Sequence, residues 1–313
     1  MRCVGRDAAV PRALRHSLMQ SENEMAPAPF IVGVPRSGTT LLRLMLDSHP
    51  QLAIPNESHF FFELVKRTDA EPPLASGEFH QLVVSHFTWQ NFALDEDEFR
   101  AALGESRPFD IAHGIRALYR LYAARFGKQR WGEKTPDYGM LMPQIAALLP
   151  EAHFIHVVRD GRDVAVSKRH LWFGPGNDIA AQAEAWQAWI RRARDLAKSC
   201  PHYLEIRYEA LVRSPREVLE QVCDFIALPF TEEMLRYHTR ADARLGEVKS
   251  WANPAISCDQ LRSLHELTVR PPQADRIERW RNELTAPELR TFEAVAGELL
   301  AELGYELATE AQP

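Results

Sequence analysis

Phe30-Ile31-Val32-Gly33-Val34-Pro35-Arg36-Ser37-Gly38-Thr39-Thr40-Leu41 runs from a short apolar stretch, through a glycine-bounded turn, into apolar residues at helical spacing that continue to Leu46. Strand, Gly-rich turn, helix is the first unit of an α/β sheet. It is also where free backbone amides and the helix dipole together make an anion site. Gly33 and Gly38 have the G-x-x-x-x-G spacing of a phosphate loop, but Thr39 stands where a lysine would reach the β- and γ-phosphates of a nucleotide. The positive charge lies inside the loop instead, at Arg36, among the hydroxyls of Ser37, Thr39 and Thr40. An anion held by Arg36, Ser37, Gly38, Thr39 and Thr40 is one reading; a plain Gly-containing βα turn is the other.

The loop does not stand alone. His153-Phe154-Ile155-His156-Val157-Val158 is the clearest strand in the chain, a β-branched run of the kind buried in parallel sheets. It stops at Arg159-Asp160-Gly161, and the residues from Asp163 to His170 read as a helix carrying Ser167. An arginine at the carboxyl end of a strand lies in the crevice where α/β sheets bind ligands, and a serine two turns into the next helix points toward the same place. Arg159 could equally pair with Asp160 or Asp163. Two anion sites on one sheet ask for a ligand with two phosphate-like ends.

The rest of the chain fits an α/β fold with a P-loop-like parallel sheet covered by helices on both faces. Helical pattern dominates about 58–127, including an amphipathic stretch from Ile111 to Phe126. Trp131 to Pro136 reads as a strand end entering a turn, Tyr138 to Leu149 as helix, and Tyr203 to Tyr208 as a strand. Asn177 or Asp178 is positioned to cap a helix over Ile179 to Lys198. Ser214-Pro215-Arg216-Glu217 reads as a capping box with proline at the first helical position. The stretch 240–275 is polar with Pro254, Pro271 and Pro272, and predicts a long loop. Pro287 opens a final helix to Leu303. These elements predict one domain over 28–306 with a helical, substrate-side insertion at about 58–127, preceded by a polar, Arg-rich disordered tail over 1–27.

Composition narrows the function classes. The 313 residues are 45% hydrophobic and 26% charged, ordinary for a globular chain. No run approaches the ~20 apolar residues of a membrane span, and the N-terminus lacks the pattern of a signal peptide. A formal net charge of −6 speaks against bulk nucleic-acid binding. Cys3, Cys200, Cys223 and Cys258 are far apart, without CxxC spacing, and read as reduced thiols of a cytoplasmic protein. Neither they nor any carboxylate cluster suggests a metal site.

VPRSGTTLLRLMLDSHP resembles the 5′-phosphosulfate loop of sulfotransferases that use 3′-phosphoadenosine 5′-phosphosulfate (PAPS), and FIHVVRDGRDVAVS resembles their 3′-phosphate motif. The likeness is to the bacterial and tyrosylprotein sulfotransferase branch and covers roughly 30–300. It implies the sulfotransferase fold, PAPS as donor with 3′-phosphoadenosine 5′-phosphate (PAP) as product, and a hydroxyl-bearing acceptor: a small molecule, glycan or lipid in preference to protein tyrosine. It implies Arg159 and Ser167 at the 3′-phosphate. PNESHFF places Glu57 as the catalytic base, with His59 as rival; WGEKTPDY places Lys134 near the transferring group, alongside Arg36; IRYEALVRSP places Tyr208 on the nucleotide. RPPQADRIERWRNELT resembles the C-terminal nucleotide loop, with Arg270, Arg279 and Trp280. Glu57 read locally could instead be a solvated carboxylate beside a helix cap, and Lys134 could pair with Glu133 or Asp137. A phosphate-loop nucleotide kinase and a non-catalytic PAP- or PAPS-binding module are the competing functions.

Overall fold

The computed structural model describes residues 25–67, 73–104, 108–169, 171–172, 175–250 and 256–308; most of the expected N-terminal tail, 1–24, lies outside the described residues. β1 (Ala28–Val32) leads through the glycine loop into α1 (Thr39–Asp47) and the two-residue β2 (Leu52–Ala53). Helices α2 (Phe61–Val65), α3 (Ser76–Val84), α4 (Trp89–Phe92), α5 (Glu96–Leu103) and α6 (Ile111–Ala124) fill the region read as helical. Then come β3 (Arg130–Trp131), β4 (Glu133–Lys134), α7 (Met142–Leu148), β5 (Ala152–Val158), α8 (Gly161–Lys168), α9 (Ile179–Ala197) and β6 (Tyr203–Arg207). The chain finishes with α10 (Tyr208–Arg213), α11 (Pro215–Phe225), α12 (His238–Leu245), α13 (Cys258–Ser263), α14 (Trp280–Glu283) and α15 (Ala286–Glu302).

Four strands form one parallel sheet in the order β4-β1-β5-β6, and β2 and β3 pair in parallel beside it. Both faces of the sheet are covered, which is why β1 and β5 are buried at every position. Strand alternation splits their side chains between two cores. Phe30, Val32 and Phe154 pack with α6, α7 and the helical segment. Ile31, Ile155 and Val157 pack with α1, α10, α11 and α12.

Three sequence expectations need correction. Ser214 forms no capping box: it makes no side-chain cap, because it also ends α10 and sits at φ −132°, ψ 61°. The stretch 240–275 is not a continuous loop, since α12, α13 and two 3₁₀ turns (Glu266–Val269, Ala274–Arg276) occupy much of its described part. Tyr138 to Leu149 is likewise broken, into a 3₁₀ turn at Pro136–Met140 followed by α7. The α9 cap is settled in favour of Asp178, which accepts from Ala180 and Ala181 at 3.0 Å each.

Candidate active site

The parallel registers bring the carboxyl ends of β1, β4 and β5 together. Ile31 lies beside Lys134 and Val32 beside His156, so the 33–38 loop, Lys134 and Arg159 leave the sheet at one edge. Two glycines make the loop possible. A Cβ on Gly33 would lie 2.6 Å from the Val157 carbonyl oxygen, and one on Gly38 would lie 2.3 Å from the Tyr208 ring. Gly38 is also left-handed at φ 95°, as is the non-glycine Arg36 at φ 81°. Arg36 therefore holds a conformation that costs a non-glycine residue roughly 1–2 kcal/mol. A pocket of about 640 Å³ opens above the loop.

One end of this pocket gathers cations. Arg36 donates from Nε to Ser167 Oγ at 3.2 Å and from Nη2 to the Leu264 carbonyl at 3.0 Å. The two motifs found separately in the sequence thus touch directly. Arg159 donates to the carbonyls of Arg36 (3.0 Å) and Arg276 (2.7 Å), sits 3.7 Å from Asp163, and lies with its guanidinium 4.4 Å from the Tyr208 ring centre. Burial and the neighbouring Arg159 push the Arg36 guanidinium down to about 10. Arg279 also lines the pocket while pairing with Glu283. Among the described residues, the buried Arg159 Nε has no hydrogen-bond partner; nor does the Ser37 hydroxyl, which is fully buried and does not line the pocket. Together with first-turn amides of α1 that have no carbonyl behind them, the guanidinium groups of Arg36 and Arg159 fit a phosphorylated ligand.

The other end holds the acid–base groups. Lys134 Nζ donates to Glu57 Oε1 at 2.5 Å and to Thr40 Oγ1 at 3.4 Å, and the lysine side chain is only 3% exposed. His59 Nε2 lies 3.1 Å from the other Glu57 oxygen. Burial alone would raise the Glu57 carboxyl, but Lys134 and His59 outweigh it and hold it well below the usual carboxylate range. On Lys134 the balance falls the other way, and burial lowers its ammonium despite Glu57. Glu57 is not a capping carboxylate, since α2 begins only at Phe61 and has no side-chain cap. Its position is pinned from both sides. Arg43 donates to Asn56 Oδ1 at 3.0 Å, and the Ser58 N–H donates to Thr135 Oγ1 at 3.0 Å. Glu133 is turned away, accepting from Tyr119 and Thr135.

Arg36, Gly38, Thr39, Thr40, Glu57, Lys134, Arg159, Ser167, Tyr208 and Arg279 all line the pocket. Arg270 is exposed and does not line it, offering only its carbonyl to the Tyr237 hydroxyl at 2.6 Å. Trp280 is buried under the Arg162 guanidinium. The sequence reading missed Arg276, Leu264 and His265, which enter from the 256–278 segment. Burial, Arg36 and Lys134 push the His265 imidazole down to about 3, so it is neutral.

The resemblance led us to expect a phosphate-type anion site with Glu57 and Lys134 near it, but not their pairing, and comparison with known proteins decides the family. The family model described as "Sulfotransferase family" matches residues 27–232. The chain belongs to the sulfotransferase family. PAPS is the donor that this family uses. The nodulation protein NoeE of Sinorhizobium fredii is 28% identical over 90% of this chain and 68% of its own length. Protein-tyrosine sulfotransferase A of Caenorhabditis elegans is 25% identical over 91% of this chain and 68% of its own. Both halves of the expected branch are therefore among this sulfotransferase's relatives. The sulfotransferase domain of the Synechococcus PCC 7002 olefin synthase superposes with a TM-score of 0.58, at 26% identity, covering 92% of this chain and 98% of that domain. The sulfotransferase domain of the curacin biosynthetic pathway, at TM-score 0.54 and 21% identity, shares the fold. Among the described residues, no helix is long and apolar enough to cross a membrane.

Proposed function

We propose that this sulfotransferase moves the sulfuryl group of PAPS to a hydroxyl of a small molecule, glycan or lipid, with Glu57 as the base. The observation that carries the reading is the Lys134 ammonium, seated between Glu57 Oε1 and the Thr40 hydroxyl of the anion loop. The ammonium links the proton-accepting end of the pocket to the donor end.

PAPS supplies the sulfuryl group, and the bond that breaks is the one joining sulfur to the 5′-phosphate oxygen. Arg36, the Thr39 and Thr40 hydroxyls and the first-turn amides of α1 hold that phosphate and stabilise the charge that develops on it. Arg159 and Ser167 hold the 3′-phosphate, Tyr208 and Arg279 line the nucleotide end, and no metal ligand is needed. Lys134 neutralises the leaving oxygen. A carboxylate paired with an ammonium is a weak base, so the same movement that takes Lys134 toward the leaving oxygen raises the basicity of Glu57. Glu57 then takes the acceptor hydroxyl's proton as the new oxygen–sulfur bond forms. The free thiols of Cys200, Cys223 and Cys258 fit work in a reducing compartment such as the cytoplasm.

The test is transfer of ³⁵S from PAPS by Glu57→Gln. Turnover falls at least a hundredfold while PAP affinity is undiminished. Turnover within tenfold of the parent enzyme removes Glu57 from the mechanism.

A further inference from the structure

Asp137 stands on the wall of the acceptor end. It belongs to the 3₁₀ turn Pro136–Met140 immediately after β4, three residues beyond Lys134. The turn is held against α9: a Cβ on Gly139 would come within 2.7 Å of the Trp189 ring. Asp137 is half-buried and lines the pocket together with Glu57 and His59. Among the described residues its carboxylate takes part in no ion pair, and the Trp189 indole N–H faces it as a donor, short of full hydrogen-bond geometry. Burial, and then Glu57, raise it above the ordinary aspartate range, while the Lys168 ammonium acts on it only through space. Its charge is thus partly balanced. The Trp189 indole offers it one weak donor, whereas an ionised carboxylate has room for about four.

A substrate that fills the remaining acceptor positions of this half-buried carboxylate is favoured over one that covers them without donors. An aliphatic alcohol supplies none once its single hydroxyl is used at Glu57. An acidic peptide brings like charge toward both Glu57 and Asp137. A sugar presents further hydroxyls one or two carbons from the reacting one. Its apolar ring face also needs an aromatic surface, and Trp172, 42% exposed, lines the same pocket beside Leu171.

We propose that the acceptor is a neutral carbohydrate, with Asp137 accepting hydrogen bonds from hydroxyls neighbouring the one that reacts at Glu57 and Trp172 lying against the ring. Asp137 is then the residue that sets acceptor specificity. This rests on the Glu57 reading above, and narrows its acceptor to one class.

The probes are the methyl glycosides of neutral hexoses, 1-hexanol, and the peptide Glu-Glu-Tyr-Glu, each offered at equal concentration with ³⁵S-labelled PAPS. The enzyme sulfates at least one methyl hexoside tenfold or more faster than either alternative, because a site built for hydroxyls discriminates strongly against ligands lacking them. Asp137→Asn raises the KM for that hexoside at least tenfold, with kcat changed less than KM and PAP affinity within twofold. Unchanged PAP affinity also shows that the variant folds. Absence of hexoside sulfation, preference for the acidic peptide or for 1-hexanol, an unchanged KM in Asp137→Asn, or loss of PAP affinity in that variant each overturns the proposal. Hexoside sulfation that persists in Glu57→Gln would remove the base assignment and leave the acceptor class standing.

Discussion

Replacing Glu57 by glutamine strands the Lys134 ammonium in a site where only 3% of the lysine side chain meets water. Removing one partner of a fully buried pair costs about 3–5 kcal/mol, because the other charge stays behind. Glu57 itself is 22% exposed, so some water reaches the pair, and the glutamine oxygen still accepts one hydrogen bond. Both reduce the loss, to about 2–3 kcal/mol. At about 2–4 °C per kcal/mol for a domain of this size, the melting temperature at pH 7 falls by roughly 4–12 °C. The pH dependence has a definite sign. Glu57 is depressed in the folded state, so its contribution is fully present above the unfolded value of about 4.3 and disappears as pH falls through the lower folded value. The gap between the parent enzyme and Glu57→Gln is therefore flat from pH 5 to 8 and closes only in strong acid. PAP narrows it too, since an anion on the 33–40 loop gives Lys134 a new partner. Differential scanning calorimetry at pH 7 and pH 5, with and without PAP, measures all three. A Glu57→Gln melting temperature within 1 °C of the parent at pH 7 would refute the buried pair.

Arg159→Ala weakens PAP binding by about 1.5–3 kcal/mol, roughly 10- to 150-fold, and leaves ADP affinity unchanged in isothermal titration. Gly38→Ala forces a Cβ to within 2.3 Å of the Tyr208 ring at a left-handed backbone position, so PAP affinity falls at least thirtyfold; affinity within threefold would show that the loop tolerates the methyl. Arg244 pairs with Asp47 at 2.7 Å and donates to the Tyr122 hydroxyl at 2.7 Å, both buried. Arg244→Met leaves Asp47 charged and short of donors, costing about 3–5 kcal/mol by urea unfolding.

The parts of the site legible in the sequence are those in which chemistry and local structure coincide. Gly33 to Thr40 announces itself because a strand, two glycines and a helix start occupy consecutive positions. Arg159 and Ser167 follow for the same reason, as a strand end and a helix eight residues apart. Glu57 and Lys134 were found only through resemblance, because the tie between them spans 77 residues and depends on where β4 meets the loop after β2. His265 and Arg276 carried no signal. They reach the pocket through the 256–278 segment, whose short helices present too few apolar residues for a period to show. In α12 the buried face is Ala241, Arg244 and Leu245, and an inward arginine makes the helix read as polar loop. Arg270 failed in the opposite way: its neighbourhood fits the motif, but its side chain faces solvent while Arg276, six residues on, lines the pocket.

In the proposed mechanism Arg159 and Ser167 read a 3′-phosphate while the 33–40 loop holds the 5′-phosphate end. Isothermal titration of PAP against ADP tests it with one protein and two ligands: both carry an adenosine and a charged 5′ end, but only PAP has a 3′-phosphate. PAP is expected to bind at least thirtyfold more tightly, the share of one charge-assisted site at about 2 kcal/mol. Equal affinities would contradict it, leaving Arg159 as a structural partner of Asp163.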